Sequence, residues 1–194
     1  MKNQQCIFTK LNITILFLGL ICLCGCASTR FSKVYVTNTK KVSLLPTQAF
    51  IQQAMEPADV FQITYNDNSF TGLSMLTLSS LQMELYMLNE MGLDLGHLYY
   101  DGNDLEYNFS FFPDSLKPEY MILDVQNIFY DSESLYNHYK KQGIEFSEKM
   151  ENDSVTRIIS SKGSIIETIT ITADSIVLKN TLRGYEYLLT KIED

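Results

Sequence analysis

Cysteines are the residues of this chain that most readily do chemistry, and all four lie within its first 26 positions. Cys22, Cys24 and Cys26 occupy alternate positions, and Cys6 stands apart from them. A zinc or redox site favours Cys-x-x-Cys spacing with partner ligands elsewhere in the chain. The alternating spacing therefore argues against a metal or redox site and directs attention to the segment that carries the cysteines.

A charged start and a short apolar run precede this cluster. Lys2 and Lys10 flank the start, and residues 11–23 read LNITILFLGLICL. A charged region followed by an apolar region is typical of a secretory signal. Because a membrane-spanning helix needs about 20 apolar residues, the run is too short for a permanent transmembrane anchor.

The apolar run ends in Leu23-Cys24-Gly25-Cys26, which resembles the lipobox of bacterial lipoprotein signal peptides. In that motif a small residue precedes the cysteine that is lipidated and becomes the mature N-terminus. Gly25 meets this requirement before Cys26, whereas larger aliphatic residues precede the other two cysteines of the cluster. The resemblance implies a signal peptide over residues 1–25 and a covalent diacylglycerol and acyl chain on the Cys26 thiol.

Charge is distributed unevenly along the rest of the chain. Residues 26–55 contain four basic and no acidic side chains, whereas residues 56–194 contain nine basic and 23 acidic ones, a net charge of −14. A body this acidic repels phosphate backbones, which argues against nucleic acid as a partner. The basic stretch either attracts anionic lipid head groups or is simply a solvated tether. We expect a flexible tether over residues 26–45 and a single monomeric domain over residues 46–194.

The pattern of the domain indicates two groups of strands separated by helices. Residues 60–112 contain short alternating or continuous apolar runs joined by turn sequences such as Asp101-Gly102, which predicts an antiparallel meander. Strand patterns return over residues 144–192. Because a flat sheet of about ten strands tends to curl, we predict a mainly β (α+β) fold, a curved antiparallel sheet or incomplete barrel.

Two helices interrupt the strands. Pro118 opens a segment with helical spacing, and a second helix begins near Ser132 and ends before Gly143. We expect this two-helix insertion to cover the open side of the sheet. A further short helix is predicted over residues 46–55.

No catalytic pattern accompanies these elements. His97 and His138 lack further ligands at metal-binding spacing, so no metal site is predicted. Asp124 and Asp131 are seven positions apart and face the same way on a helix, but helix-polar and helix-terminal roles explain them better than acid–base catalysis. No catalytic residues are predicted, and the chain is not expected to be an enzyme.

Apolar and aromatic side chains carry the remaining functional signal. They fill a core, or they line a cleft between the curved sheet and the first helix that holds an apolar chain; methionine suits adaptable apolar sites. The predicted lining of such a cleft is Met83, Met87, Met121, Val125, Ile128 and Phe129. The alternatives are a fully packed structural or assembly subunit of an envelope complex and, least favoured, an envelope hydrolase.

Three segments of the domain resemble one family: MGLDLGHLYYDG (91–102), LKPEYMILDVQNIFYDSESL (116–135) and LKNTLRGYEYLLTKI (178–192). This is an uncharacterised family of outer-membrane lipoproteins, often encoded in aryl-polyene or fatty-acid-like biosynthetic clusters. The resemblance implies a fold similar to the lipoprotein carriers LolA and LolB, an incomplete barrel with helices in its mouth. It also implies a lipid-anchored position in the bacterial envelope, at the outer membrane. The family has no established activity, and the expectation of an acyl chain or lipoprotein as ligand rests on the apolar side chains of this chain.

Overall fold

The structure, a computed structural model, describes residues 33–45, 58–109 and 116–192. Its strands are β1 (Lys33–Tyr35), β2 (Lys41–Ser43), β3 (Ala58–Tyr65), β4 (Asn68–Leu78), β5 (Met83–Asn89), β6 (Asp94–Tyr100), β7 (Leu105–Phe109), β8 (Glu145–Glu151), β9 (Ser154–Ser161), β10 (Ser164–Ile171), β11 (Ser175–Asn180) and β12 (Tyr185–Lys191). Its helices are α1 (Pro118–Phe129) and α2 (Ser132–Lys141).

Ten of the strands form one antiparallel sheet in the order β7-β6-β5-β4-β3-β12-β11-β10-β9-β8. Each half is a meander of sequential neighbours, and the halves join where β3 pairs with β12, with Ile63 opposite Tyr187. The sheet does not close, because β7 and β8 are unpaired edges. The predicted mainly β fold of about ten antiparallel strands with a two-helix insertion is confirmed.

One face of the sheet carries most of the core. In β3, Phe61 and Ile63 are buried whereas Val60 and Gln62 are exposed, as the two-residue period of a strand requires. Strand β5 follows the same alternation. The buried face packs against α1, whose residues Met121 and Ile122 are 5% and 0% exposed.

Local sequence sets the helix boundaries. Pro118 occupies the first turn of α1 with Glu119, which favours helix initiation because proline is pre-organised there and the carboxylate complements the helix dipole. Helix α2 begins at Ser132 as the sequence predicts, and its N-cap is Asp131, which accepts a hydrogen bond from the Ser134 amide at 2.8 Å. Gly143 follows α2 with a φ of +64°, which suits a residue without Cβ.

The N-terminal part of the described chain differs from the predicted tether over residues 26–45. Strands β1 and β2 pair as a hairpin, and Val34 and Val42, which face each other in it, are 1% and 0% exposed. Valines and leucines alternating with polar residues here allow a buried face, although the overall composition is polar. The predicted signal peptide, Cys26 and the predicted helix over residues 46–55 lie outside the described residues.

Candidate functional site: an apolar cleft beside a buried polar network

A small cleft lies between α1 and the central strands of the sheet. Its space amounts to about 60 Å³, several times the roughly 10–15 Å³ that a single water molecule needs. The apolar side chains that line it are Phe61, Ile63, Leu76, Leu85, Met87, Met121, Val125, Ile128, Phe129 and Leu189. Polar groups enter it from Asp59, Ser74, Asp124 and Tyr187. We refer to this space as the apolar cleft.

Five of the six residues predicted from the sequence to line a cleft come together here. Met87 enters from β5, and Met121, Val125, Ile128 and Phe129 enter from successive turns of α1. The sixth, Met83, lies near the other end of β5 and is 0% exposed. It belongs to the packed core beside the cleft and is not among the lining residues.

A larger groove adjoins the cleft at the end of the sheet where β4 begins and β5 ends. It offers about 580 Å³ and is lined by Ser69, Phe70, Thr71, Asn89, Leu93, Asp94 and Leu95, together with Phe61 and Ile63. Because Phe61 and Ile63 line both spaces, the groove and the apolar cleft are neighbours. We refer to this second space as the rim groove.

A polar network is buried next to the apolar cleft, between α1 and the strands β10, β11 and β12. Asp124 of α1 is 2% exposed and accepts hydrogen bonds from the Tyr185 hydroxyl at 2.8 and 3.1 Å. Glu167 of β10, also 2% exposed, accepts from Asn127 at 2.8 Å and from Asn180 at 3.1 Å. Asp124 and Glu167 are in turn hydrogen-bonded to each other. This polar network fastens α1 to the sheet.

Burial controls the ionisation of the network. Desolvation raises the pKa of Asp124 well above its usual value, and the neighbouring Glu167 charge raises it further. Desolvation also raises the pKa of Glu167, although hydrogen bonds from Asn127, Asp124 and Asn180 oppose the shift. Because two carboxylates this close cannot both ionise readily, their pKa values are raised and the pair shares a proton.

The remaining members of the network tie it to α2 and to β9. The Tyr139 hydroxyl of α2 donates to the Asn127 side chain at 2.7 Å. Arg157 of β9 donates to the backbone carbonyls of Asn127 and Ile128 at 2.7 and 2.9 Å, and to Glu148 at 2.7 Å. These carbonyls belong to the last turn of α1, where no intrahelical donor is available. A positive charge here also complements the helix dipole.

Polar contacts attach the N-terminal hairpin to the helices. The Gln126 side chain pairs with both backbone groups of Leu45, at 2.8 and 3.1 Å. His138 places Nε2 2.7 Å from the Ser43 carbonyl, and burial lowers the pKa of this histidine. His138 therefore has a structural partner, and its ring lies outside the apolar cleft.

Of the other titratable residues singled out from the sequence, Asp124 lines the apolar cleft, whereas His97 and Asp131 lie outside it. His97 stacks on Tyr86 with ring centroids 5.9 Å apart. Tyr86 is 44% exposed, on the side of β5 that faces away from the helices. Asp131 caps α2 and does not join Asp124. Within residues 33–45, 58–109 and 116–192, no group of three metal-ligating side chains comes together.

Sequence reasoning missed the buried pairing of Asp124 with Glu167. A signal for it was available, since Asp124, Gln126, Asn180 and Tyr185 stand in two of the segments that carry the family resemblance. The resemblance of these segments to the family predicts the fold, but it does not predict that the segments contact each other. The structure shows that they meet: Tyr185 follows the Asn180–Arg183 turn and bonds directly to the helix residue Asp124.

The fold and the cleft together define a class of protein: an open ten-stranded antiparallel sheet with a two-helix insertion on its buried face. Residues 56–193 match a family described as proteins of unknown function, DUF3261. The match covers well over half of the chain, and the chain belongs to this family. No curated protein matches it. None of the described helices is long and apolar enough to cross a membrane.

Proposed function

We propose that this protein is a lipid-anchored envelope protein that binds an apolar acyl chain or a lipidated partner without catalysing a reaction. The site is the apolar cleft together with the rim groove. In this role it serves the transfer of lipids, lipoproteins or polyenes to the bacterial outer membrane, with Cys26 carrying the anchor. A LolA- or LolB-like mode of action is part of the proposal.

The observation that carries the proposal is the lining of the space beneath α1. Helix residues from three successive turns face strand residues across it, and ten of its fourteen lining side chains are apolar. Apolar spaces of this kind favour hydrocarbon over water, with roughly 0.8 kcal/mol gained for each methylene buried. Since the cleft itself is small, we place only part of a chain in it and the rest in the rim groove.

A second candidate is a structural or assembly subunit of an envelope complex. The observation that favours it is the packing on the β8–β11 side of α1, where the polar network and the core around Ile159, Ile169 and Leu178 fill the interior. In this alternative the apolar cleft is a packing defect and the outer surface makes the functional contact. Capture of one stable protein partner in cells, with no bound lipid, would support it.

Binding is tested directly with the chain from residue 26 onward carrying Cys26→Ala, which keeps every described residue. Native mass spectrometry after gentle purification is expected to show a co-purified acyl species, and added fluorescent acyl probes are expected to bind with saturation. A protein that stays empty and rejects these probes contradicts the proposal.

A matched pair of variants locates the site. Val125→Phe places a larger side chain in the apolar cleft, whereas Val60→Phe makes the same change on the exposed face of β3, where Val60 is 39% exposed. Probe affinity is expected to fall in Val125→Phe and to stay unchanged in Val60→Phe. Equal affinities in both variants would place any binding elsewhere on the molecule.

A further inference from the structure

The ionisable side chains that line the two spaces have one sign. Asp59 and Asp124 contribute carboxyl groups to the apolar cleft, and Asp94 contributes one to the rim groove. Among the described residues that line these spaces there is no lysine, arginine or histidine. A carboxylate on a ligand would therefore find no basic side chain in the lining of either space, and it would meet the carboxyl groups of Asp59 and Asp94, where low polarity strengthens repulsion between like charges.

Asp59 is the carboxyl that the fold leaves available to a ligand. It is 4% exposed, and Ser74 donates to its backbone carbonyl at 3.3 Å, but no described residue donates to its carboxyl group. Lys191 lies opposite in the register, yet its Nζ bonds to the Ala173 carbonyl at 2.6 Å. Burial raises the pKa of Asp59, with Lys191 opposing the shift.

Tyr187 contributes a second polar group to the lining of the apolar cleft. Its hydroxyl is buried and makes no hydrogen bond of good geometry within the described residues, although the Asp124 carboxyl and the Tyr185 hydroxyl lie beside it; its ring stacks on the Tyr185 ring with centroids 4.9 Å apart. Buried polar groups without partners are costly and rare in native structures. The Tyr187 hydroxyl is such a group in the apolar cleft, and together with the Asp59 carboxyl, to which no described residue donates, it indicates that a ligand supplies the missing partner.

From this lining we infer that the occupant of the cleft is a neutral apolar chain bearing a hydroxyl group, which donates to Asp59, and not a free fatty acid. This inference rests on the proposed function and names the ligand class of the same site. Asp59 lies four residues from Ile63, the register partner of Tyr187, so the backbone positions that carry the two polar groups are roughly 13 Å apart along the strands. The apolar body of the chain lies between them, and Tyr187 donates to a second oxygen where the ligand carries one.

Three 12-carbon compounds that differ only at the polar end provide the test: 1-dodecanol, methyl dodecanoate and dodecanoate. Each compound is titrated at pH 8 against the chain from residue 26 onward carrying Cys26→Ala, with the neutral dye N-phenyl-1-naphthylamine bound, and displacement of the dye is measured. We expect 1-dodecanol to displace the dye at a concentration roughly three- to tenfold below that of the methyl ester, the equivalent of one hydrogen bond. Dodecanoate is expected to be the weakest competitor.

Substitutions at Asp59 assign the preference to this carboxyl. Asp59→Leu is expected to remove the difference in affinity between dodecanol and the methyl ester. It is also expected to raise the affinity for dodecanoate. Asp59→Asn keeps the shape of the side chain and is expected to raise the affinity for dodecanoate alone. This variant provides the test if Asp59→Leu fails to fold. Asp67→Leu, on an exposed turn, is the control and should leave the order unchanged.

The outcomes separate the inference from the function on which it rests. Binding of dodecanoate as tight as that of dodecanol overturns the inference and leaves an apolar-chain binding protein. An order of affinities that Asp59→Leu and Asp59→Asn both leave unchanged also overturns it. If neither the dye nor any of the three compounds binds, the proposed function itself fails.

Discussion

Asp124 on α1 and Glu167 on β10 are hydrogen-bonded to each other in the interior, each only 2% exposed. The pair joins the helix that covers the apolar cleft to β10, a strand that does not line the cleft. Asn127, Asn180 and Tyr185 satisfy the remaining oxygens of the two carboxyls. The position of α1 over the cleft is therefore linked to a proton held by this pair.

This link predicts a pH dependence of stability. The folded-state pKa of both carboxyls is raised, so the stabilisation from their bound proton is fully present below the unfolded Asp value of 3.8 and is lost as pH rises through the folded pKa. In that window the free energy of unfolding falls by about 1.4 kcal/mol per pH unit for each proton. Asp124→Asn keeps a donor and an acceptor without the charge, so its stability should fall less between pH 5 and pH 8.

Urea unfolding at several pH values checks this prediction. The stability of Asp124→Asn relative to the unmodified chain is expected to rise by about 1–3 kcal/mol from pH 5 to pH 8. Asp67→Asn, on an exposed turn, is the control and should follow the unmodified chain. Parallel curves for the unmodified chain and Asp124→Asn would show that the pair does not hold a proton in this range.

Arg157 is expected to be a major support of α1. Replacement by methionine removes the donors to the Asn127 and Ile128 carbonyls and leaves Glu148 without its partner. We expect a loss of about 2–4 kcal/mol in the free energy of unfolding, because buried groups are left unsatisfied. Lys179→Met, at an exposed position of β11, is the matched control and should change stability little. Equal effects in the two variants would contradict the role of Arg157.

Most of the architecture could be predicted from local patterns. Helix α1 was predicted from Pro118 and from the helical spacing of Met121, Val125 and Ile128. The strands were predicted from the alternation of apolar and polar residues. The Asp124–Glu167 contact could not be predicted this way, because it joins a helix and a strand far apart in the chain. Four cleft residues were predicted because helical spacing fixes a shared face of α1. Met83 and Met87 share one face of β5, and only tertiary packing places Met87 in the cleft and Met83 in the core.

The N-terminal hairpin shows that a polar composition alone does not predict whether a segment packs against the core. Residues 28–41 are rich in serine, threonine, asparagine and lysine, which suggests a tether, but Val34 and Val42 are buried in the core. Val42→Ala is expected to lower the free energy of unfolding by about 1–3 kcal/mol, from lost burial and the cavity left behind. Val60→Ala, at an exposed site of β3, should cost far less. A negligible effect of Val42→Ala in thermal and urea unfolding would contradict the packing of this segment in the core and would support a flexible tether instead.

Cys26 carries the proposed anchor, and its neighbours provide matched controls. Because Gly25 is the small residue that precedes a cysteine in the cluster, Cys26→Ser should abolish incorporation of labelled palmitate and release the protein from the membrane fraction. Cys22→Ser and Cys24→Ser should still be labelled, since leucine or isoleucine precedes those positions. A single acyl chain binds membranes only weakly, whereas several chains hold a protein stably. Palmitate labelling that survives Cys26→Ser would therefore overturn both the lipid anchor at this position and the envelope location that depends on it.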